Sequence, residues 1–424
     1  MLMKISDNID KEAYVWIWLP KEIKPVVAGK LEADDLGNIY FNYGKSYLDR
    51  MSANPPSISI YEPELPLKNG ILPLPQGLNM PGCIRDSAPD AWGRRVIINK
   101  KLGLKAKDED TAVLSELTYL LESGSDRIGA LDFQRSSSEY VARSSTDVQL
   151  DELLESASRV EQGVPLTPEL DQALFHGSSI GGARPKALIE DQGIKYIAKF
   201  SLSSDLYSVV KAEFIAMRLA AAAGINVAAV KLVQVNSKDI LLIERFDRVQ
   251  AENGWERKAM VSALTLFGLD EMMARYASYE TFAEIIRLRF NDPKETLEEL
   301  FSRLVFNILC GNTDDHARNH AAFWNGKTLC LTPAYDLCPQ YRAGYEATQA
   351  MLISRDNRLS NLHSCLKASS QFLLSESKAK AIFNRMRDAI ENNWTNICDE
   401  AKLSIVERNL LWKRQFLNPF AFEE

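Results

Sequence analysis

Residues 13–75 carry apolar and polar positions in the manner of strands. A-Y-V-W-I-W-L-P and N-I-Y-F-N-Y are rich in aromatic and β-branched residues, and the turn signal D-D-L-G-N lies between them. Prolines punctuate the passage from Asn54 to Pro81, which predicts irregular structure. The run D-S-A-P-D-A-W-G-R-R-V-I-I-N-K-K-L-G then predicts a helix, with Ser87 and Pro89 suited to its start and Gly103 to its stop. Q-R-S-S-S-E-Y-V-A-R-S-S-T-D (134–147) is polar and without period, and marks a boundary. Helix and strand patterns alternate from about 148 to 250, and helical patterns dominate after about 258. Within that last stretch, L-E-E-L-F-S-R-L-V-F-N-I-L-C is apolar at helical spacing and Gly311 ends it. The chain then enters a dense polar knot, G-N-T-D-D-H-A-R-N-H-A-A-F, which holds two of its four histidines.

Composition narrows the classes without naming one. A chain of 424 residues with 46% hydrophobic and 25% charged residues can bury a large core and is expected to divide into two or three domains or lobes. A net charge of −7 argues against binding nucleic acid through the overall field. The six cysteines (83, 310, 330, 338, 365 and 398) form no C-x-x-C pair and read as reduced thiols. No apolar run is long enough to span a membrane, and the N-terminus has acidic residues where a signal peptide needs an apolar stretch; the expected location is the cytoplasm.

Four separated pieces suggest chemistry. In G-S-S-I-G-G-A-R-P-K-A-L-I-E (177–190), Gly181 and Gly182 let backbone N–H groups approach an anion, although a tight turn near a hairpin explains them equally well. Lys199 shares a strand face with Ile197, and either snorkels to water or reaches a phosphate. Glu213 lies at the border of a helical stripe formed by Val210, Phe214 and Met217, where pairing with a cation such as Lys199 would lower its cost. Asp314 and Asn319 stand at the D-x-x-x-x-N interval of a kinase catalytic loop, in which the aspartate takes a hydroxyl proton and the asparagine holds a metal. L-C-L-T-P-A-Y-D predicts a strand running to Asp336, a carboxylate suited to Mg²⁺. A zinc helix through His316 and His320 lacks its general base, because residue 317 is alanine, and a purely structural polar network remains an alternative. The order glycine loop, lysine, glutamate, D-x-x-x-x-N, aspartate is that of phosphoryl transfer on a two-lobed scaffold.

These motifs resemble the HipA family of serine/threonine kinase toxins from bacterial toxin–antitoxin modules. The resemblance rests on S-S-I-G-G-A-R-P-K-A, Y-I-A-K-F, L-L-I-E-R-F-D-R, G-N-T-D-D-H-A-R-N and L-T-P-A-Y-D, spanning roughly residues 175–340, and more loosely on D-S-A-P-D-A-W-G-R-R. H-R-D, D-F-G and A-P-E are absent, as in that family. The resemblance implies an α+β, two-lobed protein-kinase-like fold with an additional N-terminal β-rich domain. The expected divisions are 1–145 (β-rich, then helical), 146–250 (small lobe with the glycine loop) and 251–424 (helical lobe with the catalytic and metal-binding loops). It further implies Asp314 as catalytic base and Asn319 and Asp336 as Mg²⁺ ligands, with His316 and Tyr335 flanking the phosphates. ATP would be covered by Gly181, Gly182, Ala183, Arg184 and Lys186, reached by Lys199, and received at its adenine by the backbone of Glu244, Arg245 and Phe246. Asp247 and Arg248 are expected to tie strand to loop. Ser179 would be autophosphorylated, shutting the enzyme off. The implied partners are a protein substrate, by family precedent an aminoacyl-tRNA synthetase, and a small DNA-binding antitoxin through which DNA is met indirectly; no membrane is involved. K-A-K-A-I-F-N-R-M-R (378–387) reads as a solvated helix face or a DNA-backbone contact in such a complex. A catalytically silent nucleotide-binding co-repressor and a small-molecule kinase are the alternatives.

Overall fold

The computed structural model describes residues 10–102, 114–143, 150–162, 179, 184–201, 205, 207–342 and 344–423. Two compact units emerge. The first comprises Met1–Leu202, Asp247–Met260 and Asn325–Lys327, and the second Ser203–Phe246, Val261–Trp324 and Thr328–Glu424.

In the first unit the aromatic and β-branched runs form an antiparallel sheet. Its strands are β1 (Glu12–Ile17), β2 (Val26–Ala33), β3 (Ile39–Tyr43), β4 (Ile71–Leu72) and β5 (Leu131–Gln134), in the order β4-β3-β2-β1-β5. Alternation decides which face is buried: Ala13, Val15 and Ile17 of β1 are fully enclosed. The predicted helix after the proline-rich passage spans Ala91–Leu102. A hairpin of β6 (Lys186–Asp191) and β7 (Ile194–Phe200) closes through Gln192 and Gly193, both at positive φ (50° and 73°), which is the backbone a two-residue hairpin turn requires.

The hairpin is fastened to the N-terminal residues by buried and half-buried polar contacts. Trp92 Nε1 donates to the Lys186 carbonyl at 3.2 Å. Lys195 of β7 pairs with Asp126 at 2.9 Å, and Asp126 also accepts from Arg248 at 2.8 Å. Arg248 donates to the carbonyls of Gly129 and Arg127 as well, while the Gly129 N–H donates to Asp247 at 2.8 Å. Asp247 and Arg248 thus tie the strand-end motif R-F-D-R to a loop, and the loop lies more than a hundred residues upstream.

The second unit is mainly helical. The helix Pro293–Cys310 starts with proline in its first turn, where no N–H is needed. Leu297, Leu300, Phe301, Leu304, Val305, Phe306, Ile308 and Leu309 are fully buried along it. Helices Tyr279–Arg289, Leu362–Ala368 and Glu376–Glu400 pack around it. Gly311 ends it, as the sequence predicts, and does so in a left-handed C-cap with φ 75°. The unit also contains helix Val209–Ala222 and the antiparallel pair β8 (Val230–Val235) and β9 (Lys238–Glu244). Among the described residues no helix is long and apolar enough to cross a membrane.

Candidate active site

The polar knot grows directly from the Gly311 cap. Asn312 is held from both sides: its N–H donates to the Asn307 carbonyl at 2.8 Å, its Nδ2 to Asn307 Oδ1 at 2.9 Å, and its carbonyl accepts Gln349 Nε2 at 3.0 Å. Beyond this anchor the chain turns through a short 3₁₀ segment, Ala317–Asn319. His316 N–H donates to the Asp314 carbonyl, and Asn319 N–H to the His316 carbonyl, each at 2.9 Å. Asn319 Nδ2 reaches the same Asp314 carbonyl at 3.1 Å, which leaves its Oδ1 as the atom able to serve a cation. His316 and His320 do not share a helix face, so the geometry of a zinc helix is absent here.

Asp314 is exposed, whereas Asp315, Asn319 and His320 are buried. Partial desolvation and the like charges of Asp336 and Asp315 raise the Asp314 carboxyl above its ordinary value, against the pull of His316.

Asp336 arrives differently from expectation. The strand predicted to run to it stops at Leu331. Pro333 has no N–H to extend the ladder; instead Ala334 bridges to Val227 in parallel, its N–H donating to the Asn226 carbonyl at 2.7 Å. The Tyr335 hydroxyl then donates to the Arg318 carbonyl at 2.7 Å, tying this segment to the knot. Asp336 itself takes a left-handed φ of 58°, uncommon for any residue but glycine. Phe246, just past the end of β9, lies 5.7 Å from the Tyr335 ring and 6.0 Å from Phe323, forming an aromatic group of which the sequence indicated only two members.

In the first unit, Lys186 and Lys199 sit directly opposite each other across β6 and β7, and both are buried. Like charges facing across a hairpin are unfavourable unless anions surround them. Arg184 is half-buried next to them, and Ser179 is buried at 2% exposure with no hydrogen-bond partner for its hydroxyl among the described residues. Gly181, Gly182 and Ala183 lie outside the described residues. Glu213 is buried on the Val209–Ala222 helix beside Phe214 and Met217, and Arg245 is buried after β9, with Glu244 half-buried.

No cluster of three or more Asp, Glu, His or Cys side chains with metal-binding geometry occurs among the described residues. A Mg²⁺ site of the kinase type needs no such cage: one or two carboxylates and the nucleotide's phosphates suffice, and Asp314, the free Oδ1 of Asn319 and the Asp336 segment tied to the same loop are donors that fit that demand. The six cysteines are free thiols. The basic helix segment 378–387 is matched by nearby groups: Lys378 pairs with Glu298 at 2.5 Å, Lys380 with Glu376 and Arg387 with Asp388, while Arg385 donates to Ser302.

Comparison with known proteins agrees with the motif order. A family model of the HipA-like C-terminal domain matches residues 178–394, just over half of the chain, and one of the HipA N-terminal domain matches 21–134. The chain belongs to the HipA family. Among curated relatives, the serine/threonine-protein kinase toxin HipA of Shewanella oneidensis is 28% identical over 183 residues, which is 38% of this chain and 42% of that protein. A putative kinase of Sinorhizobium fredii is 25% identical over 336 residues, 73% of this chain and 74% of its own. The structure of HipA from Shewanella oneidensis, solved with HipB and operator DNA, superposes with a TM-score of 0.68 at 19% identity, covering 96% of this chain and all of that one. The HipA fold, α+β and two-lobed in the manner of protein kinases, is therefore the fold of this chain.

Asp315, His320 and Tyr279 also belong to the site's surroundings and were not assigned a role by motif. The paired aspartates and histidines were visible in the sequence, but their internal partnership was not.

Proposed function

We propose that this chain is a toxin-type protein serine/threonine kinase that moves the terminal phosphoryl group of ATP onto a protein hydroxyl in the cytoplasm. The observation that carries the reading is the meeting of two distant segments: the Tyr335 hydroxyl donates to the Arg318 carbonyl at 2.7 Å, tying the segment that carries Asp336 to the loop in which Asn319 Nδ2 donates to the Asp314 carbonyl. Repelling carboxylates at the surface are unfavourable by themselves and are relieved by a cation. In this reading Asp314 accepts the proton of the substrate hydroxyl as its oxygen bonds to the γ-phosphorus, and the bond to the β-phosphate oxygen breaks to release ADP. Asn319, through Oδ1, and Asp336 would hold Mg²⁺, which when bound neutralises charge on the phosphate oxygens.

The remaining assignments follow the family order. Lys186 and Lys199, which face each other across the hairpin, would meet the phosphates with Gly181, Gly182, Ala183 and Arg184. His316 and Tyr335 would flank the phosphates, Glu213 would pair with Lys199, and Glu244, Arg245 and Phe246 would receive adenine. The expected partner is a small HipB-like DNA-binding antitoxin, with DNA contacted through it; the solved relative is bound to HipB and operator DNA. The proposed substrate is a translation-related protein, and the working divisions are 1–145, 146–250 and 251–424.

Ser179 is the proposed site of self-inactivation. About two negative charges on it would repel the nucleotide phosphates. Its burial means that the hydroxyl must first leave its site, so modification is expected to be slow and to accumulate with turnover. Intact-mass measurement after incubation with Mg-ATP checks this; an active enzyme that stays unmodified at Ser179 rejects it.

The central test is transfer of labelled phosphoryl from ATP into a cell extract. Wild type should label a discrete protein and Asp314→Ala should lose about 10²- to 10⁴-fold in rate. Equal labelling by both, from folded protein, would overturn the assignment.

A further inference from the structure

Asp314 and Asn319, the two residues assigned to the proton and the cation, are each followed immediately by a buried titratable side chain. Asp315 Oδ1 accepts from His320 Nε2 at 2.8 Å. Its other oxygen, Oδ2, accepts the hydroxyl of Tyr279, which also lies 3.3 Å from His320 Nε2. The Tyr279 and His320 rings meet edge to face at 5.6 Å, and Phe282 approaches His320 in the same way at 5.8 Å. All three polar residues are 3% exposed or less.

The group is fixed to regular structure on every side. Tyr279 opens the helix Tyr279–Arg289, and its N–H donates to the Leu352 carbonyl at 2.8 Å. The His320 carbonyl accepts the Ala263 N–H at 2.8 Å, and residue 321 begins the strand Ala321–Trp324. The catalytic loop itself has little regular structure: residues 314–319 are joined to one another by three turn hydrogen bonds, from the His316 N–H, the Asn319 N–H and Asn319 Nδ2, and the loop is tied outward at Arg318, whose carbonyl accepts the Tyr335 hydroxyl and whose guanidinium pairs with Glu271.

We propose that Asp315, His320 and Tyr279 form a clamp that sets the distance and orientation between Asp314 and Asn319. The clamp joins the residues one step along the chain from each, so its length fixes both backbone positions at once. These are positioning residues: none is assigned contact with nucleotide or substrate. Catalytic groups misplaced by about 1 Å lose on the order of 10²-fold in rate, and turn hydrogen bonds with outward ties at Arg318 leave Asp314 room for such displacement. The inference rests on the kinase reading of the site, and a test can separate the two.

The experiment uses the full chain. Wild type and Asp314→Ala are compared first: if both are equally inactive, the kinase reading fails, and the clamp is then judged on amide hydrogen exchange alone. His320→Leu removes the Nε2–H donor, Tyr279→Phe removes one hydroxyl, and His320→Gln restores a donor at the same reach. Expected are a kcat loss of about 10- to 100-fold in His320→Leu with the KM for ATP changed less than about 3-fold, a smaller loss in Tyr279→Phe, and substantial recovery in His320→Gln. Amide exchange at residues 314–320 should quicken in His320→Leu and return towards wild type in His320→Gln. In wild type, nitrogen-labelled histidine should show one exchange-protected imidazole N–H, absent from His320→Leu. Should His320→Leu fail to fold, Tyr279→Phe, nearly identical in shape, carries the test by the same readouts. The clamp is overturned if the folded variants keep kcat within about twofold of wild type, if exchange across 314–320 is unchanged, or if His320→Gln is as impaired as His320→Leu at equal stability.

Discussion

Asp314 and Asp315 are chain neighbours with opposite electrostatics. For Asp314, desolvation and the charges of Asp336 and Asp315 outweigh His316 and raise the carboxyl. For Asp315, burial alone would raise it further, yet His320 and the hydrogen bonds from His320 and Tyr279 prevail and hold it below the ordinary aspartate value. The signs of the two stability effects differ accordingly. The raised group contributes stability that is present below the unfolded carboxylate value of about 3.9 and lost as pH rises through the folded one. Ionised Asp314 therefore strains the metal-free protein at neutral pH, and Asp314→Asn should melt above wild type at pH 7, with the gain vanishing near pH 3.5. The lowered group contributes stability that is present above the unfolded value and lost as pH falls through the folded one. Asp315→Asn should thus melt below wild type at pH 7, and this deficit too should shrink on acidification. Calorimetry of both variants across that range, without Mg²⁺, decides: equal shifts in the same direction would mean that the two carboxyls do not differ as described. Functional residues that oppose stability in this way are expected where a ligand later relieves them.

The helix Pro293–Cys310 shows what a local pattern can specify. Its apolar period and the glycine at its end appear as expected, and the proline at its start is a further signal of the same one-dimensional kind. Gly311 is needed for its conformation and for space: at φ 75° an added Cβ would lie 2.7 Å from the Gln415 carbonyl oxygen. Gly311→Ala should cost about 2 kcal/mol or more and lower the melting temperature by several degrees. It should also reduce kcat, because Asn312 and the loop hang from that cap; wild-type stability in the variant would show that the loop holds its shape without it. The lysine pair was legible in principle, since counting outward from the Asp191–Ile194 closure around the D-Q-G turn sets Lys186 against Lys199. The support of Asp336 was not. L-C-L-T-P-A-Y-D looks like a continuous strand, but Pro333 interrupts it and a bridge to Val227, over a hundred residues away, takes over. Tyr279 lies 36 positions from Asp315, and nothing in the period of either segment announces their contact. Short-range pattern fixed the helices and hairpins; long-range side-chain partnership assembled the parts of the site that it left dark.

At the scale of the molecule, the division between the two family models does not coincide with a physical seam. The N-terminal model ends at residue 134 and the C-terminal model begins at 178, yet one compact unit includes the N-terminal sheet, the β6–β7 hairpin and residues 247–260. Arg248 is the centre of that union. Its side chain is 1% exposed and it donates to Asp126, Asp247, the Gly129 carbonyl and the Arg127 carbonyl. Asp126 in turn holds Lys195 of β7, so the hairpin that presents Lys186 and Lys199 is braced by residues of the N-terminal region. Removing one partner of a buried ionic network leaves the other charge uncompensated, at a cost of about 3–5 kcal/mol. Arg248→Met, which keeps the bulk and removes the charge, should lower unfolding stability in denaturant by about that amount. If the brace also sets the lysines, affinity for ATP should weaken in Arg248→Met under conditions where the variant is still fully folded, and the isosteric Asp126→Asn should show the same two effects in milder form. A variant that unfolds earlier but binds ATP as wild type does would confine the network to stability. One that unfolds at the wild-type denaturant concentration would refute the brace altogether, since a buried guanidinium with acceptors on four residues cannot be removed without consequence if those contacts exist.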